Sequence, residues 1–440
     1  MRETLVKFQD FKDSPLGKIP QDWEVVPVSS IGEVVTGSTP PSRVVGSWGE
    51  ALPFVTPGDI AEDGQVTGVQ RRLSATGVKY VRPVPRKTVL VVCIGSTLGK
   101  TAFATEECAT NQQINAVIPN STHDPRFIYA ALTYQIDQLL RWAGLQAVPI
   151  VNKNQFGQML IPIAPPYEQR RVGEIFDTLD EAIAHTSSLI AKLKQMKAGL
   201  LHDLLTRGLD ENGELRDAIA HPEQFKDSPL GRIPKKWEAK PLAAIADLQV
   251  GFAFKSEWFQ EYEGIRLLRG ENVGYGSPDW SETRTLPRNM YPNYREYELV
   301  TGDIIIGMDR TFTKTGIKIS VLERKDIPAL LVQRVGRFLP IDCCDQQFLK
   351  AILNSRHYHR ALLVQQKGMD IPHLSKSEIL EPVIAAPPLK EQSSIAAIIN
   401  AHDTRIRTEE AFRDKLKLQK QGLMQDLLTG RVRVEVKNFK

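Results

Sequence analysis

Gly95-Ser-Thr-Leu-Gly-Lys-Thr101 carries the residue types that cradle a phosphate, and its spacing argues against that use. Three residues separate Gly95 from Gly99, one fewer than a nucleotide-binding Walker loop needs, and Ala102-Phe-Ala-Thr105 reads as strand where such a loop continues into helix. A tight turn presenting Ser96, Thr97 and Lys100 is expected instead. Cys93, Cys108, Cys343 and Cys344 form no Cys-x-x-Cys pair and have no histidines at ligand spacing, so neither a metal site nor a disulfide framework is expected. They read as reduced, mostly structural thiols. The eight histidines are scattered, and no Ser-His-Asp or paired-carboxylate spacing is recognisable.

Ala164-Pro-Pro-Tyr167 has the outline of the Asn-Pro-Pro-Tyr box with which amino-methylating DNA methyltransferases hold the target amino group. Alanine cannot make that hydrogen bond, and no glycine-rich fingerprint for S-adenosylmethionine follows a strand. The chain is therefore expected to be no enzyme.

The strongest signal is internal repetition. Phe11-Lys-Asp-Ser-Pro-Leu-Gly-Lys-Ile-Pro-Gln-Asp-Trp-Glu24 recurs as Phe225-Lys-Asp-Ser-Pro-Leu-Gly-Arg-Ile-Pro-Lys-Lys-Trp-Glu238, with 11 of 14 positions identical at an offset of 214. Further on, Pro165-Pro-Tyr-Glu-Gln169 answers Pro387-Pro-Leu-Lys-Glu-Gln392. There the offset is 223, pairing Asp180 with Asp403, Ile183 with Ile406, and Asp203-Leu-Leu-Thr206 with Asp426-Leu-Leu-Thr429. The interiors, about 25 to 164 and 239 to 386, diverge far more than these borders. Faint correspondences remain, Lys100-Thr101 with Lys314-Thr315 and Gln112 with Gln333. Two related modules with unlike interiors suit a protein that reads two different things.

The elements that must position these residues follow from periodicity. Short apolar runs between Gly and Pro turns predict strands at Trp23–Val28, Pro53–Val55, Thr88–Ile94 and Ile114–Pro119, and at Gly264–Leu268, Asp303–Gly307, Ile317–Leu322 and Leu330–Leu339. Helical spacing predicts helices over Arg126–Trp142 and Gln346–Gln366. A heptad seam then runs through Phe176, Leu179, Ile183, Thr186, Ile190, Leu193, Leu200 and Leu204. Its counterpart, Ile399, Ile406, Leu416, Leu423 and Leu427, is interrupted by His402, Glu409 and Arg413. Prolines at the start and Gly208 and Gly430 at the end bound two helices of roughly 60 Å. Neither can hide its stripe alone. The expected fold is α+β: two mixed α/β recognition domains with short strands, joined and spaced by two long antiparallel coiled-coil helices about a pseudo-two-fold axis. The boundaries read as a first domain 1–164, helix 165–208, linker 209–224, second domain 225–386, helix 387–430 and tail 431–440.

Composition bounds the function. A chain of 440 residues suggests two to four domains, and 42% apolar with 25% charged residues is ordinary for a globular protein. No run of about 18 apolar residues suggests a membrane span, and Met1–Asp13 lacks a signal peptide's apolar stretch, so a cytoplasmic location is expected. A net charge of +4 is too small for a protein that coats nucleic acid indiscriminately, so any DNA-binding residues must be grouped.

Taken in order, Gly37-Ser-Thr-Pro-Pro41, Pro53-Phe-Val-Thr-Pro-Gly-Asp-Ile60, Gly95-Ser-Thr-Leu-Gly-Lys100, Asn111-Gln-Gln-Ile-Asn115 and the duplicated Pro-Pro…Glu-Gln and Leu-Leu-Thr segments make the chain resemble the specificity subunit of type I restriction-modification systems. The resemblance spans almost the whole chain. It weakens in the second interior, where Arg269-Gly-Glu-Asn272 stands in place of Pro57-Gly-Asp-Ile60 and no Asn-Gln-Gln occurs. It implies a non-catalytic subunit that reads a split, asymmetric double-stranded DNA target, one half per domain. Two methyltransferase subunits using S-adenosylmethionine and two restriction subunits using ATP and magnesium would supply the chemistry.

Side-chain chemistry nominates the contacts. Arg, Lys, Asn, Gln, Ser and Thr can read base edges, while Arg and Lys also grip phosphates. In the first domain the candidates are Ser96, Thr97, Lys100, Asn111, Gln112 and Gln113, with Arg82, Arg86 and Lys87 on phosphates. In the second they are Arg310, Thr311, Thr313, Lys314, Gln333 and Arg334, with Lys255 and Arg269 as weaker choices. Partner subunits are expected on the helix stripes, at Ile175, Leu179, Ile183, Ile190, Leu193, Leu200 and Leu204, and at Ile398, Ile406, Leu416, Leu423 and Leu427. Two other readings stay open: a scaffold whose helices merely join partners, and a fused restriction-methylation enzyme with a disguised centre. A scaffold would show no preference between DNA sequences.

Overall fold

The computed structural model describes residues 5–7, 10–66, 68–144, 148–313, 316–365 and 373–434. They form two compact units, 1–188 with 410–440, and 189–409, so each long helix contributes to both.

Each unit opens on the repeated Phe-Lys-Asp-Ser-Pro-Leu-Gly segment, which folds as a hairpin of Phe11–Ser14 with Gly17–Pro20 and of Phe225–Ser228 with Gly231–Pro234. The turn is specified locally. Ser14 and Ser228 hydroxyls donate to the carbonyls of Gly17 and Gly231, whose φ of +93° and +89° only glycine adopts without cost. Trp23 and Trp237 follow, both fully buried.

In the first unit a four-stranded antiparallel sheet orders Gly32–Thr36, Ile114–Pro119, Val89–Val92 and Thr101–Phe103. Val89–Val92 is buried at every position, which explains why an uninterrupted apolar run forms this strand. The second unit repeats this sheet as Ala246–Val250, Val335–Pro340, Ile304–Gly307 and Ile319–Val321. Each unit adds a second sheet, three-stranded around Trp48–Val55 in the first and four-stranded around Ile265–Leu268 in the second. Thr101–Phe103 is strand, as its sequence suggested, and not the helix a phosphate loop requires.

Four predicted elements are broken, one of them the strand Ile317–Leu322, which divides at Lys318 into Gly316–Ile317 and Ile319–Val321 in different sheets. The helix over Arg126–Trp142 is two, Pro125–Tyr134 and Asp137–Ala143, because Gln138 turns inward to bond both backbone groups of Leu160. The helix over Gln346–Gln366 divides into Gln346–Leu353 and Arg356–Gln365, where Asn354 bonds back to Lys350 and the Ser355 hydroxyl accepts from the Tyr358 N–H. Gln366 lies outside the described residues. Strand Leu330–Leu339 divides into Ala329–Leu331 and Val335–Pro340 at Arg334, whose φ is +65°.

The long helices are continuous, Pro166–Thr206 and Leu389–Leu427. Within the first unit Lys420 pairs with Asp180 at 2.5 Å, and Phe176 packs in the cluster holding Leu423 and Leu427. Within the second, Lys197 pairs with Asp403 at 2.5 Å, and Leu204 packs with Ile395 and Ile399. Numbers rising on one helix as they fall on the other make the packing antiparallel in each unit.

The Glu-Gln pair opening each helix is a clamp. Gln169 donates to Ala164 O and accepts from Asp124 N–H, while Asp124 caps Arg126 and Phe127. Gln392 does the same for Pro387 O and Asp345, the cap of Gln347 and Phe348. Glu168 takes Arg433 and the Trp23 indole N–H, whereas Glu391 takes Arg216 and the Leu209 N–H. Val432–Val434 adds a strand antiparallel to Leu5–Lys7. Burial pushes the Cys93 thiol up to about 11 and those of Cys108 and Cys344 to about 12, which keeps them protonated and inert. No described helix is long and apolar enough to cross a membrane.

Candidate nucleic-acid interface

Three loops of the first unit converge at one end of its sheet. Gly37 N–H donates to Ile114 O at 3.0 Å and Ser38 N–H to Thr110 O at 2.9 Å; a Cβ on Gly37 would stand 2.2 Å from Asn111 O. Only glycine lets these strands approach so closely. Cys93 N–H donates to Gln113 O at 2.8 Å, which brings the Gly95–Lys100 turn beside Asn111–Gln113. Gly95 N–H in turn donates to Pro149 O at 2.9 Å, adding the 149–151 segment.

The candidate residues divide by what their side chains already do. Asn111 donates to Gln113 Oε1 and accepts from the Gln113 N–H, and Gln113 Nε2 donates to Ile94 O, so both hold the loop together. Lys100 donates to Ile60 O at 3.2 Å and pairs with Glu62 at 2.8 Å. Ser96 and Gln112 face outward, the latter bonded to the exposed Thr39 hydroxyl at 2.9 Å. Thr97 is half-buried. Arg82, Arg86 and Lys87 are exposed, and Lys87 holds a φ of +72°.

The second unit rebuilds this frame with other residues. Gly251 N–H donates to Val335 O at 3.0 Å and Phe252 N–H to Leu331 O at 3.1 Å, the bonds made by Gly37 and Ser38. Met308 N–H donates to Arg334 O at 2.9 Å, as Cys93 does to Gln113. Gln112 and Gln333 are thus equivalent, as the sequences suggested, and both are exposed. The lysines are not paired as expected. Val92 donates to Lys100 O and Gly307 to Lys318 O, so Lys318 is the counterpart of Lys100, and it too bonds a backbone carbonyl, that of Gly270. Additional residues in the second turn displace the constant-offset alignment. Lys314 lies outside the described residues, as does the side chain of Thr313.

Thr311 is buried and donates to Gly307 O at 2.8 Å. Arg269 is held by Glu271, Glu282 O and the Phe259 ring. Arg310, Gln333 and Arg334 are exposed, and Lys255 lies 5.5 Å over Trp258. Sequence reasoning missed Thr39, Lys318, Asp309, His373 and the rings of Phe252, Phe254, Tyr294 and Tyr297, whose centroids lie 4.9–5.4 Å apart. One signal was available: Pro149-Ile-Val-Asn152 and Pro372-His-Leu-Ser375 stand at the 223 offset.

On the helices, Ile183, Ile190, Leu204, Ile406, Leu416 and Leu427 are buried within the chain, while Ile175, Leu179, Leu193, Leu200, Ile398 and Leu423 are half-buried. The exposed apolar residues of those helices include Met196, Phe412 and Leu418. Among the described residues no cluster of three or more potential metal ligands occurs.

The family described as type I restriction modification DNA specificity domain matches residues 20–195 and 234–418, one match over each interior and much of the helix that follows it. The chain is 27% identical over 434 residues to the MjaVIII specificity subunit of Methanocaldococcus jannaschii, covering 98% of both chains. It is 24% identical over 454 residues to the MjaIX specificity subunit of the same organism, covering 98% of this chain and 99% of that one. The crystal structure of a type I system S subunit from M. genitalium superposes with a TM-score of 0.58 at 16% identity, over 92% of this chain and 96% of that one. That likeness is one of fold.

Proposed function

The chain belongs to the type I restriction-modification DNA specificity subunits, and from that membership we propose that each of its two recognition domains reads one half of a split, asymmetric DNA target. Subunits of this kind are non-catalytic, and the chemistry sits with other subunits. One observation carries the reading: two copies of a single frame hold three converging loops with unlike, outward-facing polar residues. Had duplication served stability alone, the loop residues would have no reason to differ while clamps, hairpins and Gly37 and Gly251 stayed the same.

In the first domain Ser96, Thr97 and Gln112, with Thr39, face base edges. Arg82, Arg86 and Lys87 hold phosphates. Asn111, Gln113 and Lys100 shape the loops. Methyltransferase subunits, two to a complex, dock on the long helices and bring S-adenosylmethionine to adenine; restriction subunits bring ATP and magnesium. The cytoplasm is where such a complex meets its DNA.

Exchanging residues 25 to 164 for the matching segment of another specificity subunit should replace one half of the recognised sequence and leave the other intact, read by mapping methylated adenines. Alteration of both halves would show joint reading. Single residues should separate by role. Gln112→Ala should cost about 1–3 kcal/mol of binding to the target alone, whereas Lys87→Ala should weaken target and random duplex alike. Titrations on both duplexes distinguish these, and equal losses for Gln112→Ala would make it a positioning contact.

A further inference from the structure

The second recognition domain carries an ionic cluster where the first carries hydrocarbon. Ile94 bridges Ile150 in the first unit, and Asp309 bridges His373 in the second. Around that bridge the bonds from Val151 to Cys93 and from Leu374 to Met308, both 2.9 Å, are the same bond in two copies. The shared frame therefore sets Asp309 at the place of Ile94, Arg310 at that of Gly95, Arg334 at that of Gln113 and His373 at that of Ile150. Asp309 accepts from Arg334 Nη1 at 3.0 and 3.2 Å, and His373 Nδ1 donates to Asp309 Oδ1 at 2.6 Å.

Folding does not require these charges, because the first copy closes the same frame with two isoleucines. Nor do they add much stability. The Arg334 side chain is 61% exposed and that of His373 44%, the regime in which an ion pair contributes about 0–1 kcal/mol. The backbone adds a cost. Arg310 and Arg334 sit at φ of +46° and +65°, and at the place of Arg310 the first copy has Gly95, for which a φ of +100° is unstrained. At the place of Arg334 the first copy has Gln113, which is not left-handed, so this turn bears its cost to present the Arg334 side chain.

We propose that Asp309, Arg334 and His373 form a base-reading cluster of the second half-site, in which Arg334 reads a guanine and Asp309 is the positioning residue. This rests on the DNA-reading function proposed above. Asp309 holds Nη1 of the guanidinium, and the Nε and Nη2 donors match the O6 and N7 acceptors of guanine in the major groove. The same carboxylate fixes the proton of His373 on Nδ1 and turns Nε2 outward, toward a neighbouring base. The equivalent positions of the first domain hold Ile94, Gln113 and Ile150, so the two half-sites should differ at this position.

The test uses the full chain assembled with its methyltransferase, bound to duplexes that each change one base pair of the second half-site. Asp309→Asn should weaken the target roughly tenfold or more and relax selection at one G·C pair, with random-sequence affinity, first-half-site selection and melting temperature unchanged. Arg334→Lys should lose that selection as well, since an ammonium cannot make the paired contact, whereas a phosphate contact would survive it. The double variant Asp309→Ile with His373→Ile borrows the first copy's residues; it should fold normally and lose the same base preference. Unchanged selection in Asp309→Asn or the double variant overturns the cluster, as does equal weakening of target and random duplex. A wild-type complex without sequence preference would instead sink the DNA-reading function on which it rests.

Discussion

Arg433→Met should destabilise the first unit by about 3–5 kcal/mol, because it strands a buried carboxylate. Glu168 is 1% exposed and accepts from Arg433 Nε at 2.7 and 3.0 Å, from Nη2 at 2.6 Å and from the Trp23 indole N–H at 3.1 Å. The guanidinium reaches Asp22 with its remaining edge, at 2.8 and 2.9 Å. The strand Val432–Val434 is thereby tied to the start of a long helix and to the repeated tryptophan. Removing the cation leaves Glu168 without a charge partner, whereas Glu168→Leu combined with Arg433→Met removes both ions and should cost less than the single change. Urea unfolding of wild type and the two variants measures the difference. The hydrogen bond from Arg433 holds the Asp22 carboxyl below its usual range. The sign follows: that part of the stability is complete above the unfolded value of about 3.9 and is lost as pH falls through the lower folded one. Arg433→Met should therefore flatten the acid limb of the stability curve. A single variant as stable as wild type would mean the network is surface decoration.

One heptad added to each long helix, between Ser188 and Leu189 and between Glu409 and Glu410, should widen the unread gap between the half-sites by about three base pairs. Each insertion lengthens a continuous helix by roughly 10 Å at 1.5 Å per residue, and DNA rises 3.4 Å per base pair. Seven residues keep the seam in phase. The insertions fall at the division between the two units, so Asp180 with Lys420 and Lys197 with Asp403 remain paired. No residue of either recognition domain changes, and both half-site sequences should persist. An unchanged gap with altered half-sites, read by mapping methylated adenines, would contradict a helix-set spacing.

The frame was legible in the sequence wherever the physics is local. Ser14-Pro-Leu-Gly17 and Ser228-Pro-Leu-Gly231 specify their turns without help, and the heptad seam of residues 176–204 announces a helix that packs along its length. Long-range partners left less trace. The ends of Pro125–Tyr134 and Gln346–Leu353 are set by side chains reaching back to backbone groups, which periodicity does not report. The loop residues were ranked by side-chain type, and type alone could not tell Gln112, which faces outward, from Gln113, which is spent on Ile94. Lys100 spends its ammonium on Ile60 O and Glu62, and Asn111 its amide on Gln113, partners that residue type does not reveal. The Lys100 to Lys314 correspondence failed because a constant offset cannot follow a turn of different length. Asp309 and His373 lie 64 residues apart, and only the folded frame brings them together.

We propose that one chain carries two independent readers of one DNA target. The most direct test is to co-express the chain with its methyltransferase partner and map methylated adenines across a genome. A two-part motif with a fixed unread gap is expected, absent when this chain is omitted. Methylation that follows one continuous sequence, or that persists unchanged without this chain while the partner is active, would contradict it.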